Sequence, residues 1–192
     1  MEKSKHSIYK ISAIGVLSAM VFVANFFSIQ LGETARIHFG NIFCVLSGLL
    51  LGPVSGGLCS GIGGFFYDLT NPIYAAEAPI TFVMKFVLGF VTGLIAYSGN
   101  SEGKNHVKNI IGSVTGSISY VIVYLAKNFI KEYYLIKNPM ETVVSKLYIK
   151  GFTSIVNGLI AVVIALVLLP IFKSAMERSG ISKKLFPQKQ IQ

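Results

Sequence analysis

The sequence predicts an all-α integral membrane protein, a compact bundle of six transmembrane helices in one domain over residues 1–192. Of its 192 residues, 53% are hydrophobic and only 13% are charged, and the mean hydropathy is +0.65. Soluble domains carry about 25% charged residues. The charges also stand in short clusters between long apolar runs. Both observations exclude an ordinary soluble domain.

Charge-free runs locate the helices, because a bilayer core about 30 Å thick needs about 20 apolar residues per helix. Residues 11–29 carry no charge and lack the small-residue cleavage site of a signal peptide, so they are expected to stay as a membrane helix. The next charge-free run, 37–67, is too long for one span. Gly52-Pro53 interrupts it, which predicts two short helices around a tight turn.

The remaining apolar runs are 78–98, interrupted only by Lys85, and 109–126 and 151–172, which carry no charge. The predicted spans are 8–29, 38–51, 54–68, 78–98, 108–128 and 147–172. Residues 173–192 are expected to form a basic cytoplasmic tail. Lysine and arginine are in excess beside the termini and the loop near residue 104, so both termini are predicted to be cytoplasmic. The expected location is the plasma membrane of a prokaryotic cell, with several passes.

The net charge of +9 does not indicate a nucleic-acid partner, because the basic residues form no stripe or groove. Cys44 and Cys59 lie in apolar segments and are expected to be buried thiols. No histidine pairs with Cys, Asp or Glu at the spacing of a metal site, so no metal is predicted. Residues 99–104 place three residues rather than four between Gly99 and Gly103-Lys104, so they form no phosphate-binding loop.

Polar side chains are expected to converge near the outer ends of the spans. Lys85 would lie roughly 10 Å below the outer surface. A charge at membrane depth is costly and tends to mark a ligand site or a pathway. Lys85 could therefore bind a carboxylate, a phosphate or a ring carbonyl of a ligand. Alternatively, it could form an ion pair with Asp68 or Glu77 that only stabilises the fold. The predicted ligand-binding residues are Asn41, Asp68, Thr81, Lys85, Tyr120, Tyr124, Asn128, Lys150 and Asn157.

Several of these residues have structural alternatives. Lys127 and Lys150 lie near the boundary, where a long side chain can reach water. Asn128 and Asn157 could bridge helices. The inner half of the first span carries small residues instead, namely Ser12, Gly15 and Ala19. A small-xxx-small pair allows close helix approach, either within the protein or to an external helical partner.

The chain resembles the substrate-binding S components of energy-coupling factor (ECF) vitamin transporters. The resemblance rests on GNIFCVLSGLLLGP at 40–53, GIGGFFYD at 61–68 and PITFVMKFVLG at 79–89, which are similar to the riboflavin branch of that family. It implies a non-enzymatic subunit that captures a vitamin outside the cell. It also implies that residues matching Gly15 and Ala19 dock on a transmembrane coupling subunit, which two ATPase subunits energise. ATP would be used by these partners, and the chain itself would need no cofactor.

The resemblance leaves the substrate open among riboflavin, pyridoxine, the hydroxymethyl-pyrimidine precursor of thiamine, pantothenate and a folate. The segments Ser28–Ile37 and Asp68–Glu77 are expected to act as lids. Two other classes of protein are weighed. A self-contained small-solute carrier would need polar residues along the whole path, and an integral membrane enzyme would need an acid, a base or a nucleophile at the cytoplasmic interface.

Overall fold

The computed structural model describes residues 2–31, 35–72 and 74–185. Six helices of at least twelve residues make up most of this part of the chain. They are α1 (Glu2–Phe26), α2 (Gly40–Leu51), α3 (Pro53–Leu69), α4 (Ala78–Ala96), α5 (His106–Ile130) and α6 (Met140–Arg178). A short helix, α7 (Ile181–Leu185), follows and packs against α1, where Lys184 lies over the Tyr9 ring.

Four helical segments of the described chain are long and apolar enough to cross a membrane. They are Ser7–Phe26, Ala75–Ala96, His106–Leu135 and Met140–Arg178. Helix α2 is apolar but shorter, with twelve residues. The predicted class of helical membrane protein is therefore confirmed, while six crossings remain a prediction.

The connection between α1 and α2 corrects the all-α prediction, because it contains two short strands. Strand β1 (Ser28–Leu31) pairs antiparallel with β2 (Ala35–His38), with Ser28 opposite His38 and Ile29 opposite Ile37. The sequence predicts only a loop over this segment. A hairpin satisfies the backbone hydrogen bonds that a loop would leave open at the end of the helix bundle.

Helices α5 and α6 extend further than the apolar runs predict. The helical path of α5 continues beyond Ile130 as a π-helical segment, Lys131–Leu135, and α6 begins at Met140 rather than near residue 147. Glu132 in the π segment forms ion pairs with Lys146 and Lys150 of α6. Because these charges form ion pairs with one another, the helices can include residues that a count of apolar residues leaves out.

Close packing of glycines joins α2, α3 and α4 at the end of the bundle near Gly52. The chain turns at Gly52, whose φ of +78° is a conformation that favours glycine, and Pro53 begins α3. A Cβ added to Gly48 would lie 2.5 Å from the carbonyl oxygen of Gly89, and one added to Gly56 would lie 2.5 Å from Cα of Gly48. The three backbones therefore touch directly, without side chains between them.

The apolar core lies beside this contact. Leu46, Leu49 and Leu88 are almost completely buried between the same helices, together with Cys44 and Cys59. Both cysteines are free thiols, as the sequence predicts.

Candidate functional site

A cavity of about 370 Å³ lies at the opposite end of the bundle from Gly52. It is lined by residues from α1, α3, α4, α5 and α6, from strand β2, and from the segments just before α4 and just after α5. Its volume is within the range of small-molecule sites, near the lower end. Nearly all of the residues that line it have polar or charged side chains.

Lys85 projects from α4 into this cavity and is only 4% exposed. Its ammonium group donates to Oδ1 of Asn25 at 2.9 Å and to Oδ1 of Asn41 at 3.5 Å. The stem of the lysine crosses Gly64 of α3, where a Cβ would overlap it. Glycine at this position therefore makes room for the lysine. Lys85 is a buried cation whose hydrogen-bond acceptors among the described residues are neutral amides.

Arg36 reaches the cavity from β2. Its Nη1 donates to the Tyr67 hydroxyl at 2.7 Å, and its guanidinium lies 5.2 Å from the centre of the Tyr67 ring and 5.3 Å from that of Tyr74. Cation–π contacts of this kind hold a guanidinium in place without neutralising it. The two tyrosines come from α3 and from the connection to α4, so Arg36 ties the hairpin to both.

Asn157 of α6 anchors the same strand. Its Nδ2 donates to the carbonyl oxygen of Arg36 at 2.9 Å, and its Oδ1 accepts the amide hydrogen of His38 at 3.1 Å. The side-chain amide thus bonds to β2 much as a neighbouring strand would. Asn157 lines the cavity, but in this structure both of its polar groups already bind the backbone of β2.

Two carboxylates at the cavity each bind two lysines. Glu77, in a 3₁₀ turn (Ala75–Glu77) before α4, pairs with Lys127 and Lys131 of the α5 segment. Glu132 pairs with Lys146 at 2.8 Å and with Lys150 at 3.1 Å, and Lys150 also donates to Oδ1 of Asn128 at 2.8 Å. We call these two groups the rim ion pairs. They connect the α3–α4 connection to α5, and α5 to α6.

The cavity wall also carries stacked rings and polar atoms that have no partner. Tyr120 and Tyr124 stack with their ring centres 5.9 Å apart and their planes inclined by 14°. Among the described residues that line the cavity, Nδ1 of His38 and Oγ of Ser154 are shielded from water and lack a hydrogen-bond partner. Burial lowers the pKa of His38 well below its usual value, and the nearby Lys85 and Arg36 cations lower it further. The imidazole is therefore neutral at pH 7.

The structure brings together eight of the nine residues that the sequence predicts to bind a ligand. The eight that line the cavity are Asp68, Thr81, Lys85, Tyr120, Tyr124, Asn128, Lys150 and Asn157. Asn41 lies behind the cavity, where it accepts a hydrogen bond from Lys85. Lys85 forms no ion pair within 4 Å with Asp68 or Glu77, the two structural partners that the sequence offers.

Sequence reasoning missed several residues of the wall. Arg36, His38, Glu132 and Ser154 all line the cavity. The alternation of apolar and polar residues in Ser28–Leu31 and Ala35–His38 was the available signal for the hairpin, which carries Arg36 and His38. For Glu132 and Ser154 the sequence offered no comparable signal, because their positions depend on long-range packing.

The predicted docking residues Ser12, Gly15 and Ala19 are exposed on α1, and no heavy atom lies within 4 Å of a Cβ added to Gly15. Their small side chains are therefore not used for packing inside the described chain. They are separated along α1 from Asn25, which lines the cavity near the other end of that helix.

The structure of the S component of a bacterial ECF transporter is similar to this chain, with 20% sequence identity and a TM-score of 0.58. The similarity covers 88% of this chain and 98% of that one, and at this identity it shows a common fold. No curated protein matches in sequence.

The family model of the ECF-type riboflavin transporter S component matches residues 5–174. This match covers nearly the whole chain and confirms the resemblance seen in the sequence. S components are substrate-binding proteins of transport systems and not enzymes. The chain therefore belongs to the family of ECF-type riboflavin transporter S components.

Proposed function

We propose that this protein captures a water-soluble vitamin or vitamin precursor outside the cell and delivers it to an ECF module for ATP-driven uptake. The observation that carries the proposal is the cavity at one end of the helix bundle, with stacked tyrosines and a buried Lys85 in its wall. A ring can pack against the aromatic side chains while the polar groups fix its orientation.

The proposed ligand is riboflavin or a smaller ring compound such as pyridoxine or hydroxymethyl-pyrimidine. The family supports a riboflavin-type vitamin. A cavity of about 370 Å³ is compatible with vitamin-sized compounds. Six crossings with both termini in the cytoplasm would place this cavity at the outer face of the plasma membrane of a prokaryotic cell.

The proposed partners are a transmembrane coupling subunit and two ATPase subunits. The exposed small residues of α1 support a docking site for a helix, because they allow close approach from outside. ATP binding and hydrolysis would belong to the partners.

The first test is mass spectrometry of small molecules that remain bound through purification in detergent, from cells grown in rich medium. A vitamin or precursor present at about one molecule per protein would support capture. Recovery of no such compound, together with transport by vesicles that contain this chain alone, would favour a self-contained carrier instead.

The docking site is tested by Gly15→Leu, with Gly15→Ala as the matched control. Neither side chain meets an internal neighbour at Cβ, so both variants should fold. Gly15→Leu should abolish co-purification with the coupling subunit and leave vitamin binding unchanged, because the larger side chain prevents close helix approach. Normal co-purification of Gly15→Leu would contradict the docking site.

A further inference from the structure

The charges around the cavity do not balance. Five cationic side chains line it, namely Arg36, Lys85, Lys127, Lys131 and Lys150. Three carboxylates oppose them, those of Asp68, Glu77 and Glu132, and His38 adds no charge because it is neutral. Two cations are therefore in excess among the described residues of the wall. A concave site with an excess of one sign of charge attracts ligands of the other sign.

The rim ion pairs keep part of this excess. Each carboxylate carries one negative charge and is shared by two lysines. Each three-residue group therefore has one net positive charge. Lys146 of the Glu132 group does not line the cavity, so only the Glu77 group contributes to the excess counted for the wall. These groups lie where the α3–α4 connection, α5 and α6 meet at the cavity.

Arg36 and Lys85 differ from the rim lysines, because neither forms an ion pair within 4 Å in the part of the chain that the structure describes. Lys85 donates to two asparagine oxygens, and Arg36 donates to a tyrosine hydroxyl and contacts two rings. Asp68 is the remaining carboxylate of the wall, so it supplies one negative charge against the two positive charges of Arg36 and Lys85. Charged side chains in a membrane protein are costly without a counter-charge.

We propose that the ligand of this cavity combines a ring with an anionic group, a phosphate or a carboxylate, and that Arg36 and Lys85 bind this group. The inference rests on the proposed capture function, and it replaces the neutral compounds named there by ring compounds that carry an anionic group. A guanidinium offers a planar fork of donors that matches the oxygens of both anions, and an ammonium adds a compact charge. Tyr120 and Tyr124, whose rings stack in the cavity wall, are the aromatic side chains available to the ring of this ligand.

The test uses purified protein, freed of bound ligand, and three pairs of ring compounds that differ in an anionic group. Riboflavin is compared with riboflavin 5′-phosphate, pyridoxal with pyridoxal 5′-phosphate, and nicotinamide with nicotinic acid. Calorimetric titration should show at least tenfold tighter binding of the anionic member in one pair or more. The first two pairs test whether the site prefers a ligand with a phosphate, and the third tests whether it prefers one with a carboxylate.

Substitutions of Arg36 and Lys85 test whether these two residues cause the preference for the anionic compound. Arg36→Gln and Lys85→Met should each reduce the preference for the anionic member by tenfold or more, and Arg36→Lys should keep part of it. Retained binding of the neutral member shows that a variant is folded. Lys104→Gln is the matched control, because it removes an equal charge from an exposed residue at the other end of α4 and α5. It should leave all affinities unchanged.

Each outcome has a distinct meaning. Equal or tighter binding of the neutral member in every pair that binds would overturn the anionic ligand and leave vitamin capture intact. A neutral compound recovered at one molecule per protein in the mass spectrometry would do the same. Loss of preference in Lys104→Gln would refute the assignment to Arg36 and Lys85. Failure of all six compounds to bind, with no compound recovered, would contradict the capture function itself.

Discussion

Replacing Gly48 by alanine tests whether direct backbone contact between α2 and α4 holds the bundle together. The added Cβ would lie 2.5 Å from the Gly89 oxygen, 3.0 Å from Cβ of Thr92 and 3.1 Å from the Gly93 nitrogen. Ordinary contacts of a Cβ begin at 3.4 Å. The helices must therefore separate by about 1 Å, since two of the three atoms belong to the backbone and cannot rotate away.

The expected loss of stability follows from two opposing terms. Overpacking costs about 1–3 kcal/mol, with rigid backbone neighbours favouring the upper end, and alanine regains about 1 kcal/mol through its helix propensity. The net loss of unfolding free energy is about 2 kcal/mol, which corresponds to about 4–8 °C in Tm for a chain of this length. Gly15→Ala is the matched control, because its Cβ meets no atom within 4 Å and it should unfold at or slightly above the wild-type temperature.

The two buried cysteines provide the assay. The chain contains no tryptophan, but Cys44 and Cys59 are fully buried and become reactive toward a fluorogenic maleimide only when the protein unfolds. A temperature ramp in detergent with this dye gives the midpoint for each variant. If Gly48→Ala unfolded at the wild-type temperature, the backbone contact of α2 with α4 could not be as close as described.

Two further predictions concern strand β2. Asn157→Leu removes both hydrogen bonds to the strand, so it should cost about 1–3 kcal/mol and speed hydrogen exchange of the Arg36 and His38 region. Unchanged exchange in Asn157→Leu would mean that the strand is held by other contacts. Burial holds the pKa of His38 below its unfolded value of about 6.5, so below that pH the unfolded state binds more protons than the folded state. The Tm should therefore fall as the pH decreases from 7 to 5. His38→Gln should flatten this dependence, and an equally steep fall in the variant would assign the proton uptake to another group.

The apolar helices could be predicted from the sequence because a membrane span must be apolar over its whole length. The same rule located Lys85, since one lysine within an apolar run needs a particular environment. It does not show how far α5 and α6 extend beyond the predicted spans 108–128 and 147–172. The rule places Lys146 outside the predicted span and Lys150 at its boundary, but both lysines form ion pairs with Glu132 along the helical segments.

The balance of charge around the cavity could not be predicted. Glu77 and its partner Lys127 are 50 residues apart in sequence, and their pairing depends on how the α3–α4 connection meets α5. The role of Asn157 was likewise hidden, because an asparagine that serves a ligand and one that binds a strand look the same in sequence. Only the position of β2 beside α6 distinguishes them.

The two ends of the bundle differ in how freely their sequences can change during evolution. Near Gly52, any side chain at Gly48 or Gly56 would strike the backbone of another helix, so these positions admit few replacements. Around the cavity, long side chains such as Lys127 and Lys150 meet their partners through flexible stems. New ligand preferences can therefore arise by exchanging residues at the cavity while the glycine contacts stay the same. The residues that can be exchanged therefore lie at the cavity end of the bundle, and the glycines that cannot be exchanged lie near the other end.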